Sequence, residues 1–163
     1  PMRRIVFLDF DGVLNSDGSR ERGAHLFGNP DTFFHTHVDP HHVQHLEIIC
    51  QKAQAEVVVS STWRHGFPLG GLAAILRTAG FTGNVVGKTV HGAAAQGCKI
   101  RGDEIQRYLD SAERIGEPVN EFVILDDSDD MGVLLPKLVQ TQFGVGLLEK
   151  HVPLALRQLG VEP

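Results

Sequence analysis

Cysteine is scarce. The 163 residues hold two, Cys50 and Cys98, far apart and without metal-ligand spacing, so neither a disulfide framework nor a cysteine-based metal site is expected. No apolar run approaches the ~20 residues of a membrane span. No signal-peptide pattern is present, and the expectation is a reduced, cytoplasmic setting with no membrane partner. Positive charge is also short: 15 Lys and Arg stand against 20 Asp and Glu, a net charge of -5. That balance argues against a generally basic nucleic-acid surface, so a polyanion would have to be met by a local basic cleft. Internal repeats and low-complexity tracts are absent too. What remains is 42% hydrophobic and 21% charged. This suits one full core in a single domain over 1–163 and is too short for two comfortable ones.

Short apolar runs alternate with helical patterns. Ile5 to Leu8, Val57 to Val59 and Phe122 to Leu125 are nearly continuous apolar runs, as expected of strands covered on both faces. Pro40 to Ala55 places Val43, Leu46, Ile49 and Cys50 at helical spacing, with Asp39 as N-cap and Pro40 at the first helical position. Leu69 to Ala79 predicts a helix ended by Gly80, and Gly102 to Ser111 another, with Ile105, Tyr108 and Leu109 on one face. Weaker strands are predicted near Asn84 to Val86 and Lys137 to Thr141, and a closing helix over Val152 to Leu159. The alternation favours an α/β fold with a parallel sheet between helical layers. Asn15 to Val38 breaks the pattern, being rich in Gly, His, Asp and Asn, and predicts a long loop or flap.

Ligands of an open parallel sheet bind beyond the carboxyl ends of its strands. The three strong runs end alike: Asp9-Phe10-Asp11-Gly12, Ser60-Ser61-Thr62-Trp63-Arg64, and Asp126-Asp127-Ser128-Asp129-Asp130. Any one of these aspartates is an ordinary turn former or cap. The set, at three equivalent strand ends, is not explained that way. Four converging carboxylates must raise one another's pKa or recruit a cation, and all-oxygen ligands select a hard one such as Mg²⁺.

The stretch Asp9 to Asn15 resembles the DxDG(T/V) first motif of the haloacid dehalogenase (HAD) superfamily of phosphohydrolases. The superfamily's other landmarks follow in order between about Arg4 and Thr141: Ser60 ending the second strand, a basic residue before a helix, and the pair Asp126 and Asp127. More narrowly, FLDFDGVLN, VVVSSTWR, KIRGDEIQRYL and VILDDSDDM resemble the small HAD domains of RNA-repair proteins, distant relatives of the phosphatase part of polynucleotide kinase-phosphatases. The resemblance implies a Rossmann-like three-layer sandwich with a minimal cap or none. It implies Asp9 as nucleophile, forming an aspartyl-phosphate, and Asp11 as the acid and then base. Ser60, with Ser61 as a neighbouring alternative, would donate to phosphoryl oxygens, and Lys99 would supply positive charge, unless Arg101 fills that position. The Mg²⁺ ligands would be the Asp9 side chain, the Asp11 backbone carbonyl and the Asp127 side chain, with Asp126, and more weakly Asp130, orienting ligands or bound water. Arg64 is expected to contact a substrate phosphate. Trp63 is read as core in preference to a base-stacking residue.

Two other patterns carry less. Gly87-Lys88-Thr89 imitates the end of a P-loop, but the required first glycine would fall on Thr82. His35, His37, His41, His42 and His45 lack an acidic or cysteine ligand in recognised spacing, so a polar helix edge or flap is favoured over a transition-metal site, with substrate contact from His35 or His37 a looser reading. With only a flap in the first gap, the site is expected to be open. An open rim suits a phosphorylated polymer end, and the RNA-repair resemblance favours an RNA or DNA terminus, with Arg64, Lys99, Arg101 and Arg107 as local compensation. No obligate protein partner is evident. A phosphate-binding regulatory module and a phosphotransferase are the competing functions; intact Asp9 and Asp11 argue against the first.

Overall fold

The computed structural model describes residues 1–21 and 37–163. Five strands form one all-parallel sheet: β1 (Arg4–Leu8), β2 (Glu56–Val59), β3 (Val85–Lys88), β4 (Glu121–Asp126) and β5 (Leu138–Gln140), in the order β3-β2-β1-β4-β5. The three strong apolar runs are therefore the three central strands. Their unbroken hydrophobicity has the expected cause, since both faces are covered.

Five α-helices are described: α1 (Asp17–Glu21), α2 (Pro40–Ala53), α3 (Leu69–Thr78), α4 (Arg101–Arg114) and α5 (His151–Gln158). Helix α2 begins where its sequence predicts: the Asp39 carboxylate accepts the His41 N–H at 2.9 Å, with Pro40 in the first turn, a cap worth about 1 kcal/mol. It ends two residues earlier than expected, where Gln54 turns left-handed. Helix α4 instead starts one residue early and runs three residues on. Short 3₁₀ turns at Thr62–His65 and Gly132–Lys137 follow β2 and precede β5.

Alternation of side chains along the strands divides the core in two. Val6, Leu8, Val57, Val59, Val123 and Leu125 face α2, α3 and α5 in the larger cluster. Ile5, Phe7, Val58 and Ile124 face Ile105 of α4 and Met131. The result is the expected α/β three-layer sandwich, with α4 on one face and the other long helices on the opposite one. Part of the segment read as a flap is ordered into α1, while residues 22–36, including His35, lie outside the described residues. No helix among the described residues is long and apolar enough to cross a membrane.

Candidate active site

Strand register sets the site. Leu8 is level with Val59 on one side and Leu125 on the other, so the next residues, Asp9, Ser60 and Asp126, stand in a row at the carboxyl ends of the strands. The ladder continues through them: Asp9 N–H donates to Leu125 O at 3.0 Å and Ser60 N–H to Leu8 O at 2.9 Å. Two residues beyond Phe7, Val58 and Ile124, all three fall on the α4 side of the sheet.

Asp9, Asp126 and Asp127 each place a carboxylate oxygen within 4.8 Å of the others. Asp9 and Asp126 are buried. Burial first, and then Asp126, pushes the Asp9 carboxyl well above the usual carboxylate range, with Arg101 opposing. Three oxygen donors in so small a space fit a hard divalent cation, which would offset the repulsion.

Arg101 brings a guanidinium directly to two of these carboxylates. Its Nη1 donates to Asp126 at 2.8 Å and lies 3.1 Å from Asp9. Lys99 is placed differently: it is exposed, and its backbone N–H donates to Asp103 at 2.9 Å in the turn that starts α4. Of the two basic candidates, Arg101 is the one that lies at the carboxylates. The start of α4 is also tied to the acidic strand end, since Gly102 N–H donates to Asp130 O at 3.0 Å. A Cβ on Gly102 would lie 2.1 Å from Met131 O, so only glycine permits this approach. Asp130 thus works as an anchor for the helix, its carboxylate accepting from the Ser128 hydroxyl.

The Ser60 hydroxyl is buried and has no hydrogen-bond partner, and the same is true of Thr89 Oγ1. Val59 pairs with Lys88 and Thr89 N–H donates to Val59 O at 2.9 Å, which places Thr89 beside Ser60 in the row. An unsatisfied buried hydroxyl costs about 1–3 kcal/mol, recoverable by a ligand oxygen or an ordered water. Ser61 is not equivalent to Ser60, because its Oγ accepts the Trp63 N–H at 3.2 Å and caps the 3₁₀ turn.

Asp11 stands outside the carboxylate triangle. Trp63 Nε1–H reaches both its oxygens at 3.1 Å, and the Asn15 amide donates at 3.0 Å. Asn15 also accepts Gly12 N–H at 3.1 Å and donates to His37 O at 3.1 Å. Gly12 makes the bend with φ +79°; a Cβ there would sit 2.9 Å from both Asp127 Cγ and Phe143 Cδ2. Trp63 is in the core, as read, edge-on to Phe10 at 4.9 Å, but its indole N–H also orients Asp11. Neither that role nor the one of Asn15 was legible in advance. The nearest signal was an Asx side chain three residues after a turn glycine.

Arg64, expected to contact a substrate phosphate, is turned to protein groups in the structure. The residue is 2% exposed, and all five of its N–H groups are engaged. They point to the carbonyls of Ser60 at 3.2 Å, Ser61 at 2.8 Å and Val90 at 3.2 and 3.4 Å, and to Glu104 at 2.5 Å. Arg64 therefore positions the Ser60 loop against α4. Arg107 is likewise turned to protein, donating to Ala94 O at 2.8 Å and Gln96 O at 2.9 Å.

The histidines of α2 are divided. His42 is buried, with Nδ1 bonded to Leu147 O at 2.8 Å and Nε2 to Ser16 Oγ at 3.0 Å. It joins the first loop to the loop after β5. His41 and His45 stack edge-on at 5.7 Å, and among the described residues the aspartate triangle is the one group with metal-ligand proximity.

Residues 5–152 match the family described as the HAD domain in Swiss Army Knife RNA repair proteins. The chain belongs to that family. Neither a curated protein nor a solved structure matches it. Membership accounts for the parallel sheet and for acidic residues at its carboxyl rim, and it makes this HAD domain a member of a superfamily with phosphatase-type chemistry that generally uses Mg²⁺. In this HAD domain the residues fit such an ion: Asp9, Asp126 and Asp127 would supply the carboxylate oxygens.

Proposed function

We propose that this HAD domain is a Mg²⁺-dependent phosphomonoesterase that works through an aspartyl-phosphate on Asp9, with a phosphorylated nucleic-acid end as its substrate class. The observation that carries the reading is the row at the strand ends: Asp9 in a triangle with Asp126 and Asp127, and the unpaired Ser60 hydroxyl level with it on the next strand. The description of the family as part of RNA-repair proteins supports the substrate class.

An Asp9 oxygen attacks phosphorus while the bond to the leaving oxygen breaks, and Asp11 protonates that oxygen. Asp11 then takes a proton from water, whose oxygen attacks phosphorus and releases the Asp9 carboxylate. The Trp63 and Asn15 donors hold the Asp11 carboxylate in one orientation for both transfers. Ser60 Oγ–H is available to a phosphoryl oxygen, and Arg101, already at the Asp9 carboxylate, can donate to the incoming phosphate. When bound, Mg²⁺ supplies charge neutralisation between nucleophile and phosphate.

The test is phosphate release from 5′- and 3′-phosphorylated oligonucleotides, mononucleotides, sugar phosphates and phosphopeptides, with Mg²⁺ and with a chelator. Turnover is expected for the nucleic-acid ends, to be lost with the chelator and in Asp9→Asn. Calorimetric Mg²⁺ binding without turnover of any substrate would overturn the phosphatase reading.

A further inference from the structure

Three buried side-chain polar atoms among the described residues have no hydrogen-bond partner: Ser60 Oγ, Thr89 Oγ1 and, on α2, His45 Nδ1. Two of the three stand side by side at the sheet rim, and the chemistry above uses only one. Thr89 is 1% exposed, so its hydroxyl does not exchange the missing bond for one to bulk water. Such a group carries a cost that a valine of nearly the same shape would not, which points to a polar partner from outside the chain.

A break in the strand register puts Thr89 there. Val57 pairs with Val85, but Val58 pairs with Gly87 and Val59 with Lys88, so Val86 is an extra residue in β3. A slip of one residue turns every later side chain to the other face. In unbroken register Lys88 would stand beside Ser60. Instead Lys88 falls with Val59 on the opposite face, its Nζ donating to Arg64 O at 3.3 Å and Phe67 O at 3.4 Å. Thr89 falls with Gly87 on the α4 side, where a Gly87 Cβ would lie 3.2 Å from the Tyr108 hydroxyl oxygen. Ser60 is on that side too. The two segments are also fastened to each other: Thr89 N–H donates to Val59 O at 2.9 Å, and the Arg64 guanidinium bonds the carbonyl of Val90, the residue after Thr89, together with those of Ser60 and Ser61.

Neighbouring strands run about 4.8 Å apart. Two hydroxyls on one face at that spacing can both bond a single oxygen at about 2.8 Å, the arrangement of a bridging water. We propose that Thr89 is a positioning residue that acts through Ser60: by way of one shared water it ties the Ser60 oxygen to β3 and leaves the Ser60 O–H aimed at the phosphoryl group. Thr89 Oγ1–H donates to the water, the water donates to Ser60 Oγ, and Ser60 Oγ–H is left for a phosphoryl oxygen. Ser60 as a phosphate donor is taken from the phosphatase reading, on which this role of Thr89 rests.

The experiment is a double-mutant cycle of Ser60→Ala and Thr89→Val, with Thr89→Ser to keep the hydroxyl and Thr89→Ala as a second hydroxyl-free variant if Thr89→Val does not fold. Thr89→Val is expected to lower kcat/KM about 2- to 12-fold, the worth of one neutral hydrogen bond, and Thr89→Ser to restore it. In the Ser60→Ala background Thr89→Val is expected to have no further effect. An equal fall in that background overturns the proposal, because Thr89 would then contact substrate or hold the fold on its own account. So does wild-type kcat/KM in Thr89→Val, or a Thr89→Ser protein as impaired as Thr89→Val. The same proteins titrated calorimetrically with inorganic phosphate and Mg²⁺ give the cycle without turnover. If no substrate is hydrolysed, the phosphatase reading fails, while a coupled loss of phosphate affinity still upholds the role of Thr89; an additive loss, or no phosphate binding by wild type, overturns it.

Discussion

Replacing Arg64 by lysine keeps the charge and separates the two roles an arginine at this position can have. In the structure the guanidinium spans two loops and α4, with five N–H donors on three carbonyls and the Glu104 carboxylate. An ammonium has three donors at a single point and cannot reach the Ser60, Ser61 and Val90 carbonyls together with Glu104. At least one buried carbonyl is left unpaired, at a cost of about 1–3 kcal/mol. For a chain of this size that corresponds to a fall in Tm of about 2–12 °C. Because these bonds hold the Ser60 loop against α4, kcat is expected to fall with Tm. Thermal unfolding by circular dichroism and steady-state kinetics on one preparation measure both. A large rise in KM with an unchanged Tm would refute the argument, since it would mean that Arg64 spends its donors on substrate and not on the loop.

Three further outcomes follow from the geometry. Trp63→Phe retains an aromatic ring against Phe10 but removes the N–H shared by the two Asp11 oxygens; loss of a charge-assisted hydrogen bond, about 1.5–3 kcal/mol, predicts a roughly 10- to 150-fold fall in kcat, and an unchanged kcat counts against Asp11 needing this donor. Gly12→Ala adds a Cβ 2.9 Å from Asp127 Cγ at a residue with φ +79°; Mg²⁺ affinity by calorimetry should drop along with turnover, and wild-type affinity would show that the triangle tolerates the shift. Burial, then charged neighbours, lowers the pKa of His45 (His41) and His151 (Lys150, then His45). Both are therefore neutral in the native state above their lowered values, and stability is lost as pH falls from about 6.5, where the unfolded imidazoles begin to bind protons, towards the native values. The Tm drop between about pH 7.5 and about pH 5 should be smaller in His45→Gln/His151→Gln than in wild type; an equal drop would place the acid sensitivity elsewhere.

Much of the framework was legible because strong patterns have few solutions. Three unbroken apolar runs, each ending in acids or hydroxyls, became the adjacent strands β2, β1 and β4. Asp39 and Pro40 started α2 where their chemistry requires. Element ends were less exact, as at α4, whose start is set partly by contacts with Asp130 and Met131 from a distant loop. Such contacts have no local pattern.

The same division runs through the site. Residue type and order by themselves determined that acids would gather at the carboxyl rim of a parallel sheet, since alternation and strand polarity follow from the backbone alone. Which cation faces those acids was decided by the tertiary structure. Lys99 and Arg101 are two residues apart, and only the seating of α4 turns one to solvent and the other onto Asp9 and Asp126. Arg64 shows the same effect from the other direction: its five donors are consumed by carbonyls and a carboxylate from three segments that meet only after folding. Phe143 comes against Gly12 because Thr141 and Leu147 bond to the first loop, which is over a hundred residues earlier in the chain. Periodicity specifies which face a side chain takes; its partner depends on long-range packing, which a local pattern does not encode.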